Sequence, residues 1–329
     1  MRKVAVLLLG VSFPSLYVLK ELEARHIHDV LAVDVKPRIG GILAPIQSIL
    51  GTISLIPVVS ECNTKNQCID SEVIMVKQGD YLSKLVGYTN PDEYQRLWLK
   101  EWLEIFSRGK VTIDLNPLEK APRLTKPRIV TNIRKIDIDK KVAALSNGTI
   151  IMFERLISSW PLDILLSKLT KVPSSCLELK HHLNYVSAHL SIFIEKLEEH
   201  LDKAYIYIHA TKASRFHTAL KIPLTQPYAV TYVFTSFSHA YPLLPGITEK
   251  ILSEMRKFKI VNEHNIVDER HVVITYFALS KAPKDLLEQC IDELRSEGID
   301  CVSRLSVWRE MALHELRDLA VSLAKNISI

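Results

Sequence analysis

The chain has 329 residues, of which 47% are hydrophobic and 24% charged, and it carries a net charge of +5. This balance is ordinary for a folded globular protein of about two domains and excludes a disordered, collagenous or coiled-coil chain. Only 10 residues are glycine, so phosphate loops built on glycine have few places to lie.

Residues 3–9, KVAVLLL, form a continuous apolar run, the pattern of a parallel strand buried on both faces. A turn follows at 10–15, then a helix over 16–25 with Leu16, Leu19 and Leu22 on one stripe. VLAVD, residues 30–34, is a second strand that ends in an acid. The three elements make a βαβ unit, whose crossover is right-handed and whose sheet is parallel. The apolar run 4–19 lacks the small-x-small cleavage site of a secretory signal.

Residues 39–60 carry no charge but include Pro45 and Pro57. They read as buried loop and β-structure; no transmembrane span is expected, and a peripheral membrane contact stays open. Short helices are expected at 81–88 and 98–106. Residues 128–160 alternate in β fashion around the hairpin turn Asn147-Gly148. A helix over 162–169 starts behind Pro161. Five β-rich runs, 185–194, 204–210, 217–222, 229–237 and 271–279, suit one sheet. Helices at 247–258 and 284–296, a strand at 299–304 and a helix at 308–325 complete the chain.

Lysine and arginine are interleaved with acids rather than gathered in a stripe, which excludes a nucleic-acid partner. The densest basic stretch, Lys120, Arg123, Lys126 and Arg128, reads as a solvated loop. Five cysteines, an odd number without a C-x-x-C, argue against a disulfide framework and a zinc ribbon. Cys62 and Cys68 are read as two ordinary thiols, the compartment as reducing and the location as cytoplasmic. His181, His182 and His189 open the β-rich segment. Adjacent histidines in a strand point to opposite faces, so no metal site is expected there. Hydrolase, zincin and P-loop motifs are missing from the sequence. Trp98 and Trp102 share a helical stripe and are expected to anchor a core.

The opening βαβ unit has the order of a dinucleotide site. Such a site needs a tight turn at a helix N-terminus for the pyrophosphate and an acid after the second strand for a ribose. Gly10 keeps the first glycine of G-x-G-x-x-G, Ser12 and Ser15 stand at the second and third, and Asp34 is the acid. Lys36-Pro37-Arg38-Ile39-Gly40-Gly41 follows as a second loop where backbone can approach a ligand.

Four ordered segments resemble the two-domain flavoproteins grouped with amine oxidases, protoporphyrinogen oxidase and UDP-galactopyranose mutase. They are LLLGVSFPS…LAVDVKPRIGG, the hairpin region ending in LISSWP, the β-rich 185–280, and CVSRLSVWREMALHELRDLA. The resemblance implies an α/β protein: a Rossmann-like FAD/NAD(P)-binding domain with a parallel sheet and helices, plus a discontinuous α+β domain with a mainly antiparallel sheet. The implied domains are 1–60, 125–170 and 282–329 for the nucleotide, and 61–124 with 171–281 for a substrate or partner. FAD is the implied cofactor. NAD suits the chain less, because the R-x-G-G loop and the closing segment have no role with it.

By the same resemblance, Gly10, Ser12 and Ser15 face the FAD pyrophosphate and Asp34 holds the adenosine ribose. Arg38, Gly40 and Gly41 run along the phosphates, Ile133 meets the adenine through its backbone, and Arg304 lies near the phosphates. Met311 approaches the flavin ring at a helix N-terminus. The implied activity is an oxidoreductase acting on a small or apolar substrate. Ser303, Ser306 and Ala312, together with Ser12 and Ser15, depart from the family pattern, and the stretch between the glycine loop and the hairpin is short. These departures leave open an alternative, a cofactor-free descendant that serves as a binding or assembly subunit.

Overall fold

The computed structural model describes residues 2–63 and 68–327. The N-terminal apolar run folds as β1 (Arg2–Leu9), followed by α1 (Phe13–Ala24) and β2 (Val30–Asp34). The uncharged stretch supplies three short strands, β3 (Pro45–Ser48), β4 (Gly51–Ser54) and β5 (Val58–Glu61). Next come β6 (Ile69–Lys77), α2 (Tyr81–Leu85), α3 (Trp98–Phe106) and β7 (Lys110–Asp114). β8 (Arg128–Val130), β9 (Ile133–Asp137), β10 (Val142–Leu145) and β11 (Ile150–Ser158) precede α4 (Leu162–Lys168) and α5 (Ser174–Leu179). Four strands follow, β12 (Tyr185–Lys196), β13 (Lys203–His209), β14 (Thr218–Pro223) and β15 (Tyr228–Phe237). The chain closes with α6 (Ile247–Lys257), β16 (Ile266–Leu279), α7 (Lys284–Ser296), β17 (Ile299–Cys301) and α8 (Leu313–Asn326).

Two compact units emerge, one from residues 1–45, 117–184 and 280–329, the other from 46–116 and 185–279. In the first, the strands lie in the order β8-β2-β1-β11-β10-β9, with β17 also on β11. The pairs β1–β2, β1–β11, β2–β8 and β11–β17 are parallel, and β9–β10–β11 adds an antiparallel flap. Val4 and the run Val6–Leu9 are wholly buried, which is why the strand reads as unbroken apolar sequence. Among the side-chain ties, Arg155 binds Asp300 at 2.6 Å and so fastens β11 to β17.

The second unit is built on an eight-stranded sheet, β16-β12-β15-β14-β13-β6-β7-β5. Only β6–β13 is parallel among its described pairings. One face receives α6, whose Ile247, Ile251 and Met255 join Phe193, Phe216 and Val233 in a core. Trp98 and Trp102 of α3 pack edge-on at 4.9 Å and both meet Phe234, so they anchor a core as their spacing suggests.

Several expectations need correction. Residues 46–60 belong with the second unit, where β5 pairs with β7, while 117–124 and 171–184 belong with the first. Helix α1 starts at Phe13 rather than 16, because Ser12 takes the cap position and Pro14 suits the first turn. The closing helix starts at Leu313 rather than 308, and β17 stops at Cys301; the residues between are held in a turn by serine hydroxyls. His181 and His182 lie in a 3₁₀ turn over Lys180–His182, not in a strand. Two disulfides, Cys62–Cys68 and Cys176–Cys290, replace the expected thiols, and Cys301 alone is a buried thiol. The cysteine count therefore gives no ground for a reducing compartment. Among the described residues, no helix is long and apolar enough to cross a membrane.

Candidate functional site

The turn after β1 is the natural starting point. Gly10 has φ +77°, and a Cβ there would lie 2.5 Å from Ser159 Oγ and 2.8 Å from Trp160 Cδ1. Only glycine fits both the conformation and the space. Its N–H donates to the Val33 carbonyl at 2.8 Å, which carries the β1–β2 pairing one residue further. Beyond it, the Ser12 N–H donates to Ser15 Oγ at 3.2 Å, the two hydroxyls lie 3.0 Å apart, and Ser15 Oγ donates to the Gly10 carbonyl at 3.1 Å. Ser12 and Ser15 thus bond to each other and to the turn.

Asp34 lies at the same place. Its carboxylate accepts the Val11 N–H at 2.8 Å and the Lys36 N–H at 3.0 Å, and the residue is 8% exposed. The second loop then folds back onto the first: the Gly40 N–H donates to the Val11 carbonyl at 2.7 Å. Gly40 has φ +107°, and a Cβ there would lie 2.1 Å from Leu118 Cδ1. A leucine methyl therefore occupies the close approach that a glycine loop offers a ligand. Gly41 sits beside it with the Ser12 Cβ 3.8 Å from its own Cβ position, and Arg38 is exposed.

The closing turn meets the same neighbourhood through β11. Ser303 Oγ donates to the Ser159 carbonyl at 2.9 Å, and the Ser159 N–H donates to Leu9 at 2.8 Å. Ser306 Oγ accepts the Val302 and Ser303 N–H groups at 2.9 and 2.8 Å. Arg304 binds Glu310 at 2.6 Å, with both side chains buried. Met311 is half-buried ahead of α8, where the Ala312 N–H donates to Glu315 at 2.6 Å. Ile133 is fully buried at the start of β9, and the Thr131 N–H just before it donates to the Asp34 carbonyl at 2.9 Å.

The fold thus gathers Gly10, Ser12, Ser15, Asp34, Gly40 and Gly41 around one turn, with Arg304 reached through Ser303. Sequence reasoning missed Val11, Leu118, Ser159, Trp160 and Glu310. Trp160 carried a signal, standing in the LISSWP turn; Leu118, far away in an irregular segment, carried none.

A dinucleotide pyrophosphate needs open N–H donors at the helix start and a cation or acid free to turn toward it. Here Val11 N–H is taken by Asp34, Ser12 N–H by Ser15 and Gly40 N–H by Val11, while Pro14 has no N–H to offer. Arg304 is held by Glu310. The N–H groups of Val11, Ser12 and Gly40 are therefore engaged within the turn rather than open to a diphosphate. One donor stands apart: Trp160 Nε1 is buried beside Gly10 without an acceptor among the described residues.

The second unit buries polar groups of its own. Lys84 Nζ donates to the carbonyls of His209, Thr211 and Phe216 at 2.8, 2.7 and 2.6 Å. Burial pushes this amine down to about 7, while the three carbonyls match the three N–H groups of an ammonium. His217 bridges Thr218 Oγ1 at 2.9 Å and Ser236 Oγ at 3.0 Å, and Tyr81 completes the chain at 2.7 Å from Thr218. Burial, with Lys84 nearby, holds His217 well below 6.5, and burial raises Tyr81. Both groups are neutral, bonded and structural. His189 is in β12 with Nε2 3.2 Å from Ser191 Oγ, and no metal-binding group of three or more His, Cys, Asp or Glu occurs among the described residues.

At the level of sequence, no protein-family profile and no curated protein matches the chain. Solved structures do match. A reduced UDP-galactopyranose mutase superposes with a TM-score of 0.76 at 14% identity, covering 98% of this chain and 95% of that one. A fatty acid isomerase from P. acnes gives 0.68 at 10% identity, with 99% of each chain covered. A putrescine oxidase redesigned at its cofactor site gives 0.65 at 9%, covering 99% of this chain and 98% of the other. The fold of this chain is the fold of these proteins.

Proposed function

We propose that this chain is a cofactor-independent binding or assembly subunit on the flavoprotein scaffold. The observation that carries this reading is the closure of the turn on itself. Asp34 holds the Val11 N–H, and Val11 in turn accepts from Gly40. Opening these bonds for a nucleotide would expose a buried carboxylate and two amides before any new contact formed, which costs free energy. With no flavin to take electrons, the surviving features of the βαβ unit hold the sheet together, and the protein acts by binding. The test is the absorbance spectrum of the purified protein, followed by calorimetric titration with FAD and with NAD. The expected result is no flavin band and no heat of binding; stoichiometric uptake of FAD would overturn the reading.

A second reading, in which FAD is retained and an apolar or small substrate is oxidised, draws on Trp160 Nε1. A ligand oxygen above Gly10 would supply the acceptor this buried indole lacks. Its signature is a shift in tryptophan emission on FAD addition that Trp160→Phe abolishes.

A further inference from the structure

Among the described residues, strand β16 is the outermost strand of the eight-stranded sheet and pairs only with β12. From Asp268 to Ile274 the pairing with Ala188–Ile194 runs without a bulge, so this edge is straight. Among the described residues, no backbone–backbone hydrogen bond reaches the outer rim between Ile266 and Thr275, and the one backbone donor that comes to it, the Ile49 N–H, is taken by the Asp268 carboxylate at 3.2 Å. The rim has neither lysine nor proline, two of the common devices that blunt an open edge. It also presents Val267 at 39% and Val273 at 49% exposure, six residues apart on one face.

An edge of this kind takes another strand, and its residue pattern says which. A continuous antiparallel sheet between two copies has its two-fold axis perpendicular to the sheet. Residues of equal parity then face each other across the axis. With the axis at Arg270, Val267 lies opposite Val273 and Glu269 opposite His271, each pair occurring twice. Asp268 meets Val272, and Ile266 meets Ile274. Each Arg270 on the axis is already neutralised by its own Asp268 at 2.5 Å. Its guanidinium also donates to the Glu269 carbonyl at 2.7 Å, an oxygen that keeps a second lone pair for a strand neighbour. Moving the axis to His271 would instead set His271 on itself and Glu269 against Val273. The charge pattern selects one register.

We propose that this edge is a dimer interface, in which β16 pairs antiparallel with β16 of a second copy about a two-fold axis at Arg270. The two eight-stranded sheets then form one continuous sheet, with the exposed valines matched across the seam. The proposal is independent of whether a nucleotide is bound.

The test uses the full chain in sedimentation-velocity runs over a range of concentrations. The wild-type protein is expected as a dimer. The double variant Val267→Lys with Val273→Lys is expected as a monomer, with an unchanged circular-dichroism spectrum. Arg270→Cys, placed on the axis, is expected to form a covalent dimer on mild oxidation. Thr275→Cys is the control: its sulfur would be roughly 30 Å from its copy, from about 3.3 Å per residue over the ten-residue offset. A wild-type monomer at every concentration would overturn the proposal. So would a dimer that survives the lysine pair, or one in which Arg270→Cys does not cross-link.

Discussion

The carboxylate of Asp34 accepts the Val11 N–H at 2.8 Å, joining the end of the second strand to the turn after the first. The same carboxylate also accepts from Lys36, so both of its oxygens bond to backbone. An acid in the ribose position is here a piece of the turn.

This assignment separates structure from ligand binding. Asp34→Ala leaves the buried Val11 donor unsatisfied and should cost about 1–3 kcal/mol of stability in the absence of any ligand. Urea unfolding of the two proteins, with and without FAD, measures it. A carboxylate kept only for a ribose would leave the apo stability unchanged.

Gly40 gives a second handle. Gly40→Ala puts a methyl group against Leu118 at a backbone angle that L-residues avoid. The expected loss is about 1–3 kcal/mol, part steric and part conformational. Adding Leu118→Ala should return the steric share and leave the conformational share in place. A double-mutant cycle by thermal melting reads the difference.

Lys84 ties down the segment from His209 to Phe216 through its ammonium. Lys84→Met removes the ammonium from three buried carbonyls and should destabilise the second unit by on the order of 3 kcal/mol. The expected signature is loss of hydrogen-exchange protection in residues 209–217 before the rest of that sheet.

Acid should weaken the fold through His217. Its folded-state pKa lies well below 6.5, so below about pH 6.5 the unfolded chain takes up a proton that the folded chain refuses. Stability is then full above that pH and falls as pH drops toward the folded value, by up to about 1.4 kcal/mol per pH unit for this group. His189, His209 and His271, lowered chiefly by burial, add in the same direction. His217→Gln should flatten the slope between about pH 6.5 and 5, as measured by denaturant midpoints.

The Cys176–Cys290 disulfide joins α5 to α7 across 114 residues of sequence. Replacing the pair with alanine should cost about 2–4 kcal/mol. Melting temperatures of the variant, and of the wild-type chain under reductant, should fall together.

Local pattern made the opening βαβ unit legible: an unbroken apolar strand, a stripe of leucines and an acid at a strand end. The hairpin at Asn147-Gly148 was legible for a similar reason, since Gly148 takes the positive φ that such a turn demands. Strand β6 was not, because its exposures alternate irregularly and Asp70 and Glu72 interrupt the apolar pattern. The disulfide between α5 and α7 was beyond any spacing rule, as its cysteines meet only through the tertiary fold. At the site, the residues around the turn could be named from sequence, but their state could not. Whether an acid faces a ligand or a backbone N–H depends on fractions of a residue's reach, and Leu118 arrives at Gly40 from a segment with no periodic signal.

Strand β1 lies between β2, which the chain supplies within its first 34 residues, and β11, which ends only at Ser158. On a ribosome this strand, with its buried VLLL run, therefore waits, one edge open, while more than a hundred further residues are made. Contacts of such sequence separation slow folding and prolong the exposure of that edge. Production of this protein should be limited less by its final stability than by what guards β1 during synthesis.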